Sequence, residues 1–322
     1  MINKTNPKAA IAARIIIWAI IISIYTSESF APEIIPQANE SASNKINEFQ
    51  VKILSWNIAM LPIFDFVHSG RDRATTIGRA LQNSDYDIIV FQEAFSPIAR
   101  HAIYNKLRKY FPFNYGPANA SPALKINSGL WILSRLPLSI VKEYKFSGCQ
   151  GFDCLSRKGA IILEGKCKDQ PFQLIGTHLE SDASDVAVRM TQLHELYDSV
   201  ISPFSNPEIP QIICGDFNTD KELTSQYVNM LKILKCEDGS LSGDEKITFG
   251  FPLNQEATES HQKPRQLDYI LTKNSQLLDL IKRKITVIHE EMTNRYVCLS
   301  DHYGIEATIQ FKPVISISGG SQ

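Results

Sequence analysis

Polar side chains able to hold a cation or move a proton lie at the ends of short apolar segments at six places in the chain. They are Asn57, Glu93, His178, Asp216 with Asn218, Asp268, and Asp301 with His302. A short apolar run that meets a polar residue is typical of a buried strand reaching the protein surface. Taken singly, each residue is also compatible with a strand-end turn, a solvated loop or a structural ion pair. The chemistry therefore depends on their combination.

Asp216 and Asn218 illustrate the signal. They follow the apolar segment 211–215 and are two residues apart, so they share a face if the chain stays extended. A carboxylate and a carboxamide in such a position suit the orientation of a water molecule or an anion. The alternative is a turn in which both side chains bond their own backbone, and the segment alone does not decide between the two.

Taken together, these groups place hard oxygen donors and two histidines, His178 and His302, at one rim of a sheet. Hard oxygen ligands suit Mg²⁺ far better than Zn²⁺. A histidine paired with a carboxylate is oriented and made more basic, as a general base requires. A phosphoryl group in transfer needs a metal and fixed donors to stabilise its charge. The combination predicts metal-assisted attack of water on a phosphodiester.

The segments that must position these residues alternate between strand and helix patterns. Strands are predicted at 51–57, 87–93, 129–134, 139–146, 160–163, 172–178, 211–215, 266–271 and 305–311, and helices at 72–81, 97–110, 184–201 and 221–235. Apolar strands interleaved with helices indicate a sheet covered by helices. Residues 237–264 are polar, contain several glycines and predict a long surface loop.

Residues 1–31 are typical of a secretory signal peptide, with three basic residues, an apolar run of 11 residues from Ile15 to Tyr25 and small residues before Pro32. The alternative is an uncleaved anchor, but the run is short against the ~20 residues of a spanning helix. Cleavage removes three positive charges and Glu28 from a chain of formal net charge −1, leaving −3. Residues 32–49 predict a flexible lead-in. We expect a secreted or periplasmic protein, and no generally basic nucleic-acid binder.

The loop 148–159 is rich in glycine, carries Arg157 and Lys158 at its exit and could cradle an anion or form a plain surface hairpin. It lacks the strand–loop–helix context of a nucleotide-binding P-loop, which excludes that function. Cys149 and Cys154 are close enough in sequence for a small disulfide loop, although the sequence does not fix the pairing of the six cysteines. Cys214 lies in an apolar strand, which favours a buried free thiol.

Six ordered motifs resemble the endonuclease/exonuclease/phosphatase superfamily, which has the deoxyribonuclease-I-like fold. They are Trp56-Asn57, Gln92-Glu93, Thr177-His178, Gly215-Asp216-Phe217-Asn218, Leu267-Asp268-Tyr269 and Ser300-Asp301-His302. The resemblance implies an α/β (α+β) protein, a four-layer α/β/β/α sandwich in which two packed mixed β-sheets are flanked by helices. It covers residues 50–312, which we expect to be one catalytic domain with a tail at 313–322.

Within that superfamily the chain resembles the bacterial-type neutral sphingomyelinases. The resembling segments are 55–61, 153–159, 176–179, 188–193 and 300–309. Segment 153–159 matches the D-x-L-S-x-K-G loop of that group and discriminates best, because nucleases of the superfamily generally lack it. The resemblance implies hydrolysis of sphingomyelin to ceramide and phosphocholine.

The resemblance also implies roles for the metal and the base. Glu93, helped by Asn57, would hold a catalytic Mg²⁺, for which Mn²⁺ and Co²⁺ are alternatives, and Asp301 would belong to the metal shell. His302, oriented by Asp268, would activate the attacking water.

The remaining roles concern the phosphate and the substrate. Asp216 and Asn218 would position the water and the phosphate, and His178 would donate to the phosphoryl oxygens or the leaving group. Asp153 and Lys158 would belong to the substrate loop. We expect a monomer that meets sphingomyelin or a related choline phospholipid at a membrane surface.

One feature departs from the secreted bacterial sphingomyelinases, which carry an aromatic-tipped hairpin before the last motif. Here residues 286–299 contain Tyr296 as the one aromatic residue and several charges. The same fold also hosts secreted nucleases, which are the main alternative. An inositol-polyphosphate phosphatase is disfavoured because Thr219-Asp220 follows Asn218 without the arginine usual there, and a catalytically silent binding module is disfavoured by the intact set of polar positions.

Overall fold

The computed structural model describes residues 49–61, 69–120, 126–250, 263–288 and 298–312. The predicted signal peptide 1–31, the lead-in up to residue 48, most of the segment 286–299 and the tail 313–322 lie outside these residues. Within the described part of the chain, no helix is both long and apolar enough to cross a membrane.

The described residues form two β-sheets. The strands are β1 (Gln50–Asn57), β2 (Ile88–Gln92), β3 (Phe113–Tyr115), β4 (Trp131–Ser134), β5 (Leu138–Lys145), β6 (Gly159–Cys167), β7 (Gln170–His178), β8 (Gln211–Asp216), β9 (Leu241–Ser242), β10 (Asp268–Lys273), β11 (Leu278–Thr286) and β12 (Gly304–Phe311). The first sheet has the order β3-β4-β2-β1-β12-β11-β9 and the second the order β10-β8-β7-β6-β5. Both are mixed, because β1 pairs with β2 and β7 with β8 in parallel while most other pairs are antiparallel.

Four α-helices cover the sheets: α1 (Ser69–Gln82), α2 (Pro97–Leu107), α3 (Val186–Leu196) and α4 (Thr224–Leu234). Ser96 caps α2 by accepting a hydrogen bond from the Ala99 amide, and Pro97 occupies the first turn, where its missing N–H costs nothing. A π-helical turn over Tyr197–Ile201 extends α3, which explains why its predicted span reached residue 201.

Three apolar clusters separate the layers. The first lies between the sheets and joins Val51 and Ile88 of one to Leu174 and Ile212 of the other. The second packs the first sheet against α1 and α2, and the third packs the second sheet against α3 and α4. Strands buried on both faces explain the unbroken apolar runs in the sequence. The predicted four-layer sandwich is confirmed.

The prediction of a long surface loop at 237–264 is wrong in part. Residues 241–242 pair with β11, and Thr248 is fully buried. The Thr248 hydroxyl accepts hydrogen bonds from the amides of Leu267 (2.9 Å) and Asp268 (3.2 Å). The polar composition of the segment favoured a surface loop. Thr248 can nevertheless be buried because its hydroxyl is the hydrogen-bond partner of backbone groups that would otherwise lack one. Residues 251–262 lie outside the described part.

Candidate active site

Strand register sets three of the predicted residues side by side at one edge of the second sheet. His178 ends β7, Asp216 ends β8 and Asp268 begins β10. His178 pairs with Asp216 across the parallel ladder, and Asp216 pairs with Asp268 across the antiparallel one. Neighbouring strands are about 4.8 Å apart, so the three side chains form one row.

The first sheet brings its residues to the same rim. Asn57 ends β1, Glu93 follows β2, and Asp301 and His302 lie just before β12. Ser300 Oγ donates to the Asn57 carbonyl at 2.6 Å, which ties the last motif to the end of β1. The structure therefore brings together the predicted residues of both sheets.

His302 is held on several sides. Its Nδ1 lies 2.8 Å from Asp268 Oδ2, its backbone N–H donates to Ser300 Oγ at 3.1 Å, and its ring packs on Phe249 with 4.7 Å between centroids. Trp56 Nε1 donates to the His302 carbonyl at 3.0 Å. These contacts fix the ring so that Nε2 faces the site. The hydrogen bond is the one required to orient a general base.

Opposing effects set the pKa of His302. Burial alone would lower the pKa, but the charge and hydrogen bond of Asp268, with the charges of Asp216 and Asp301, raise it to about 10. One ligand atom from each of Asp216, Asp268 and His302 lies within 4.8 Å of the others, so this trio is itself a candidate cation site. The direct bond between His302 and Asp268 favours the role of an oriented base instead.

His178 presents a contrasting environment. Its Nε2 lies 3.7 Å from Asp216 Oδ2 and 4.0 Å from Glu93 Oε1, and neither ring nitrogen has a hydrogen-bond partner among the described residues. Burial and the nearby Lys158 charge lower the pKa of His178 to about 3. The ring is therefore neutral at pH 7 and has an N–H to donate.

Asp216 serves both the fold and the site. Its Oδ1 accepts the Asn218 amide at 2.9 Å, which confirms the part of the open turn alternative that concerns Asp216. Its Oδ2 faces the site, 3.7 Å from Nε2 of both His178 and His302. Asn218 has a left-handed backbone (φ 48°), so the chain is not extended there, and its side chain donates to the Leu179 carbonyl at 3.1 Å.

The rim is rich in carboxylates: Glu93, Asp216, Asp268 and Asp301 all lie there. Burial, with the Asp301 charge, raises the pKa of Glu93 to about 7. Asp268 Oδ1 and both ring nitrogens of His178 are buried without hydrogen-bond partners in the described residues. Concentrated negative charge and hard oxygen donors fit a dication such as Mg²⁺.

Asn57 links two of these carboxylates. Its Nδ2 donates to Glu93 Oε1 and to Asp216 Oδ2, each at 3.1 Å, while its Oδ1 accepts the Ala59 amide at 3.1 Å. Glu93 itself has a left-handed backbone (φ 53°), which costs an L-residue about 1 kcal/mol and is tolerated where the surroundings enforce it. In this arrangement Asn57 positions the Glu93 carboxylate.

The predicted substrate loop reaches the rim through Lys158. Lys158 is buried, and its Nζ donates to Asp153 Oδ2 at 2.6 Å and to the Leu179 carbonyl at 2.9 Å. Leu179 directly follows His178, so Asp153 and Lys158 lie beside the site. Cys149 and Cys154 form a disulfide that closes the loop, and Cys214 is a buried free thiol as predicted.

Two residues that support the site carried no sequence signal. Arg73 of α1 is buried and donates to the carbonyls of Ile58 and Leu299 at 2.7 Å each, so it clamps the end of β1 to the last motif. Glu180 is buried next to Asp153, and its Oε2 accepts the Gln150 amide at 3.0 Å. Only the helical position of Arg73 and the closeness of Glu180 to His178 could have suggested them.

Comparison with known proteins gives consistent relatives. The chain is 26% identical to "Sphingomyelinase C 2" of Leptospira interrogans, covering 87% of this chain but 50% of that protein. It is 27% identical to "Sphingomyelinase C" of Bacillus cereus, covering 85% and 93%. The chain thus spans half the length of the first relative and most of the second. The predicted resemblance to bacterial sphingomyelinases is confirmed.

Solved structures agree with the fold. Beta toxin from Staphylococcus aureus has a TM-score of 0.70 at 25% identity, with 80% of this chain and 99% of that chain covered. A beta toxin mutant "with bound magnesium ions" has the same score at 24% identity, covering 82% and 100%.

The family model described as "Endonuclease/Exonuclease/phosphatase family" matches residues 54–302. That range runs from the strand that carries Asn57 to His302, and so contains every residue of the rim. It also covers more than half of the chain. The protein belongs to the endonuclease/exonuclease/phosphatase family.

Proposed function

We propose that this protein is a Mg²⁺-dependent phosphodiesterase that hydrolyses sphingomyelin to ceramide and phosphocholine. One observation carries the chemistry: the His302–Asp268 pair and His178 face one another across Asp216, each Nε2 3.7 Å from the same carboxylate oxygen. The relatives named sphingomyelinase C support the choice of substrate.

Glu93 and Asp301, with Asn57 beside them, are the residues that would hold Mg²⁺, or Mn²⁺ or Co²⁺ in its place. Bound there, the ion would neutralise negative charge on the phosphoryl oxygens and near the carboxylates. Asn57 keeps the Glu93 carboxylate in place through its 3.1 Å hydrogen bond.

His302 is the general base. The carboxylates around His302 raise its pKa, and Mg²⁺ bound at the rim would lower it again by offsetting their negative charge, which would free Nε2 of its proton. With Nδ1–H donated to Asp268, the neutral ring accepts a proton from water at Nε2 as the water oxygen bonds to phosphorus. The bond between phosphorus and the ceramide oxygen breaks, the ceramide oxygen takes a proton from solvent water, and His302 returns the proton it accepted to solvent. Phosphocholine keeps the oxygen of the attacking water. A positioned base of this kind contributes about 10²- to 10⁴-fold to the rate.

His178 and Asn218 act on the phosphate. Because burial keeps His178 neutral, its N–H donates a hydrogen bond to a phosphoryl oxygen, and a fixed donor in a buried site stabilises charge that develops there. Asp216 accepts the Asn218 amide and orients the turn on which Asn218 lies. Asp216 Oδ2 also lies within reach of the attacking water between the two histidines.

Asp153 and Lys158 bind the substrate from the adjacent loop. Their 2.6 Å ion pair lies beside Leu179, whose carbonyl accepts from both Lys158 and Asn218. A paired cation and anion at this place suit a zwitterionic phosphocholine group. This loop is the feature that favours a lipid over a nucleic acid.

The compartment and partners follow from the same proposal. Export fits the signal-peptide pattern of residues 1–31, and the Cys149–Cys154 disulfide fits an oxidising compartment. The protein acts as a monomer on a membrane surface and does not bind nucleic acid.

The test is a side-by-side assay of the purified protein on sphingomyelin, phosphatidylcholine and plasmid DNA, with and without EDTA. The proposal expects phosphocholine release from sphingomyelin that EDTA abolishes and added Mg²⁺ restores. Cleavage of DNA without phosphocholine release would instead support a secreted nuclease of the same fold.

A further inference from the structure

Phe152 is the most exposed large apolar side chain in the described part of the chain, at 69% exposure. It lies in the 3₁₀ turn Gly151–Leu155. The exposed residues Gln150 and Gly151 precede it, and Asp153 follows it. Single exposed apolar residues are common on soluble proteins. Phe152 differs from the other exposed apolar side chains in its position beside the proposed active site.

Phe152 directly precedes Asp153, the acid paired with Lys158. That pair contacts the Leu179 carbonyl beside His178, so the aromatic ring lies one residue from the proposed substrate-binding group. Asp153 Oδ2 also accepts the Ser181 amide at 2.7 Å, which fixes the turn on the end of β7. A partner that contacts Phe152 therefore lies close to the proposed substrate-binding residues.

The loop that carries Phe152 is anchored to the protein at several points. The Cys149–Cys154 disulfide closes it, Glu180 accepts the Gln150 amide at 3.0 Å, and Gln192 Nε2 donates to the Gly148 carbonyl at 2.9 Å. These contacts attach both ends of the loop to the protein on either side of the exposed ring. A preorganised loop loses little conformational entropy when it binds a partner.

The exposed tip, residues 150–152, carries no charge: Gln150, Gly151 and Phe152 are all neutral. A Cβ added at Gly151 would meet no described atom within 4 Å, and Gln150 and Phe152 on either side are exposed. Aromatic side chains partition to the boundary between headgroups and acyl chains, and a tip without charge enters that boundary without removing an ion from water. Its chemistry fits a zwitterionic lipid surface.

We propose that the tip 150–152 is a membrane-docking surface, with Phe152 inserted at the headgroup–acyl boundary of a phosphatidylcholine- or sphingomyelin-rich bilayer. The inference rests on the proposed lipid substrate, because a phosphodiester embedded in a bilayer must be reached from the surface of that bilayer. One aromatic ring gives weak, reversible docking, which lets the enzyme move between substrate molecules. Because the tip is neutral, docking through it is insensitive to salt.

The test compares Phe152→Ser with a matched control, Ile140→Ser, which removes a 47% exposed apolar side chain from β5, away from the tip. Phosphocholine release is measured on sphingomyelin vesicles and on a short-chain sphingomyelin kept below its critical micelle concentration. Phe152→Ser should lower the ratio of vesicle to soluble turnover by about tenfold, the effect of losing one buried phenylalanine. Ile140→Ser should leave the ratio unchanged, and Phe152→Trp should restore it.

A second readout needs no turnover. The measurement is made with Trp18 replaced (Trp18→Phe), because that residue lies in the apolar run 15–25. In Phe152→Trp, brominated phosphatidylcholine vesicles should quench the new indole, while Trp56 and Trp131, which are buried in the wild type, stay unquenched. Absence of quenching, or an unchanged turnover ratio in Phe152→Ser, would overturn the proposal, as would a dimer that Phe152→Ser abolishes. If neither substrate is hydrolysed, the proposed function fails, and the quenching result alone decides the docking surface.

Discussion

The two histidines of the rim lie in opposite kinds of surroundings. His302 is bonded to Asp268, packed on Phe249 and anchored through its backbone to Ser300. His178 is equally buried, yet its ring makes no hydrogen bond within the described residues. The same residue type, 3.7 Å from the same oxygen of Asp216, is therefore hydrogen-bonded to the protein through Nδ1 in His302 and through neither ring nitrogen in His178.

This difference supports the roles proposed for the two histidines. A base must be oriented before substrate arrives, so its partners belong to the protein, as those of His302 do. A donor to phosphate finds its partner in the substrate, so its hydrogen bonds are missing until substrate binds, as those of His178 are. A buried polar atom left unpaired costs about 1–3 kcal/mol, and a phosphoryl oxygen would recover that cost.

The largest effect is expected from replacing His302, the histidine whose ring is hydrogen-bonded to the protein. His302→Ala should lower phosphocholine release by about 10³-fold, because the base is lost. It also leaves Asp268 buried without its partner, so His302→Asn, which keeps a side-chain N–H near Nδ1, is the variant to compare at equal fold content. His194→Ala, exposed on α3, is the matched control and should keep full activity. Near-normal turnover in His302→Asn would remove the residue from the base role.

Replacing His178, whose ring has no hydrogen bond within the described protein, should reduce activity less and change the free energy of unfolding little. His178→Ala removes one donor to the phosphate and should lower kcat by about 10²-fold. No hydrogen bond within the described protein is lost, so its free energy of unfolding should change less than that of His302→Ala. Urea unfolding of both variants checks this. A larger loss of stability in His178→Ala would contradict the contrast between the two sides.

Glu93 lies 4.0 Å from His178 and extends the comparison of the two histidines to the proposed cation site. Glu93→Gln keeps the shape but removes one negative charge from the proposed cation site. We expect the Mg²⁺ concentration for half-maximal activity to rise by at least about tenfold, with substrate KM little changed. A Mg²⁺ titration of phosphocholine release measures it. An unchanged titration curve would remove Glu93 from the metal site.

The last prediction concerns stability alone and is made at Glu180, two residues after His178. Burial, the hydrogen bond with Asp153 and the Asp153 charge raise the pKa of Glu180 from 4.5 to about 7. Between these values the folded protein keeps a proton that the unfolded chain has lost, so stability falls as pH rises through this window. Glu180→Gln should reduce the fall in the free energy of unfolding between pH 5 and pH 8 by about 2.5 kcal/mol, measured by urea unfolding. An identical slope in both proteins would contradict the assigned pKa.

The sequence predicted the residues of the rim because each one interrupts a local apolar pattern at a strand end. It predicted the fold through the family motifs, and the layers follow from the strands buried on both faces. It could not predict the turn at Asn218, since an Asp-x-Asn segment is compatible with both an extended chain and a turn. Asp216 decides in favour of the turn by accepting the Asn218 amide.

Long-range contacts were beyond the sequence for a physical reason. Thr248 and Arg73 act on backbone groups of segments distant in the chain, and a hydroxyl or guanidinium leaves no periodic signal when it bonds to a carbonyl or an amide. The polar loop around Thr248 therefore resembled solvent-exposed chain. The unequal surroundings of His178 and His302 were hidden for the same reason.

The most direct test of the account follows the oxygen atom of water. Hydrolysis of sphingomyelin in H₂¹⁸O with Mg²⁺ should place one ¹⁸O in phosphocholine and none in ceramide, detected by ³¹P NMR and mass spectrometry, and EDTA should stop both products. Label in ceramide, or no metal-dependent release of phosphocholine, would contradict a water activated by His302 that attacks phosphorus.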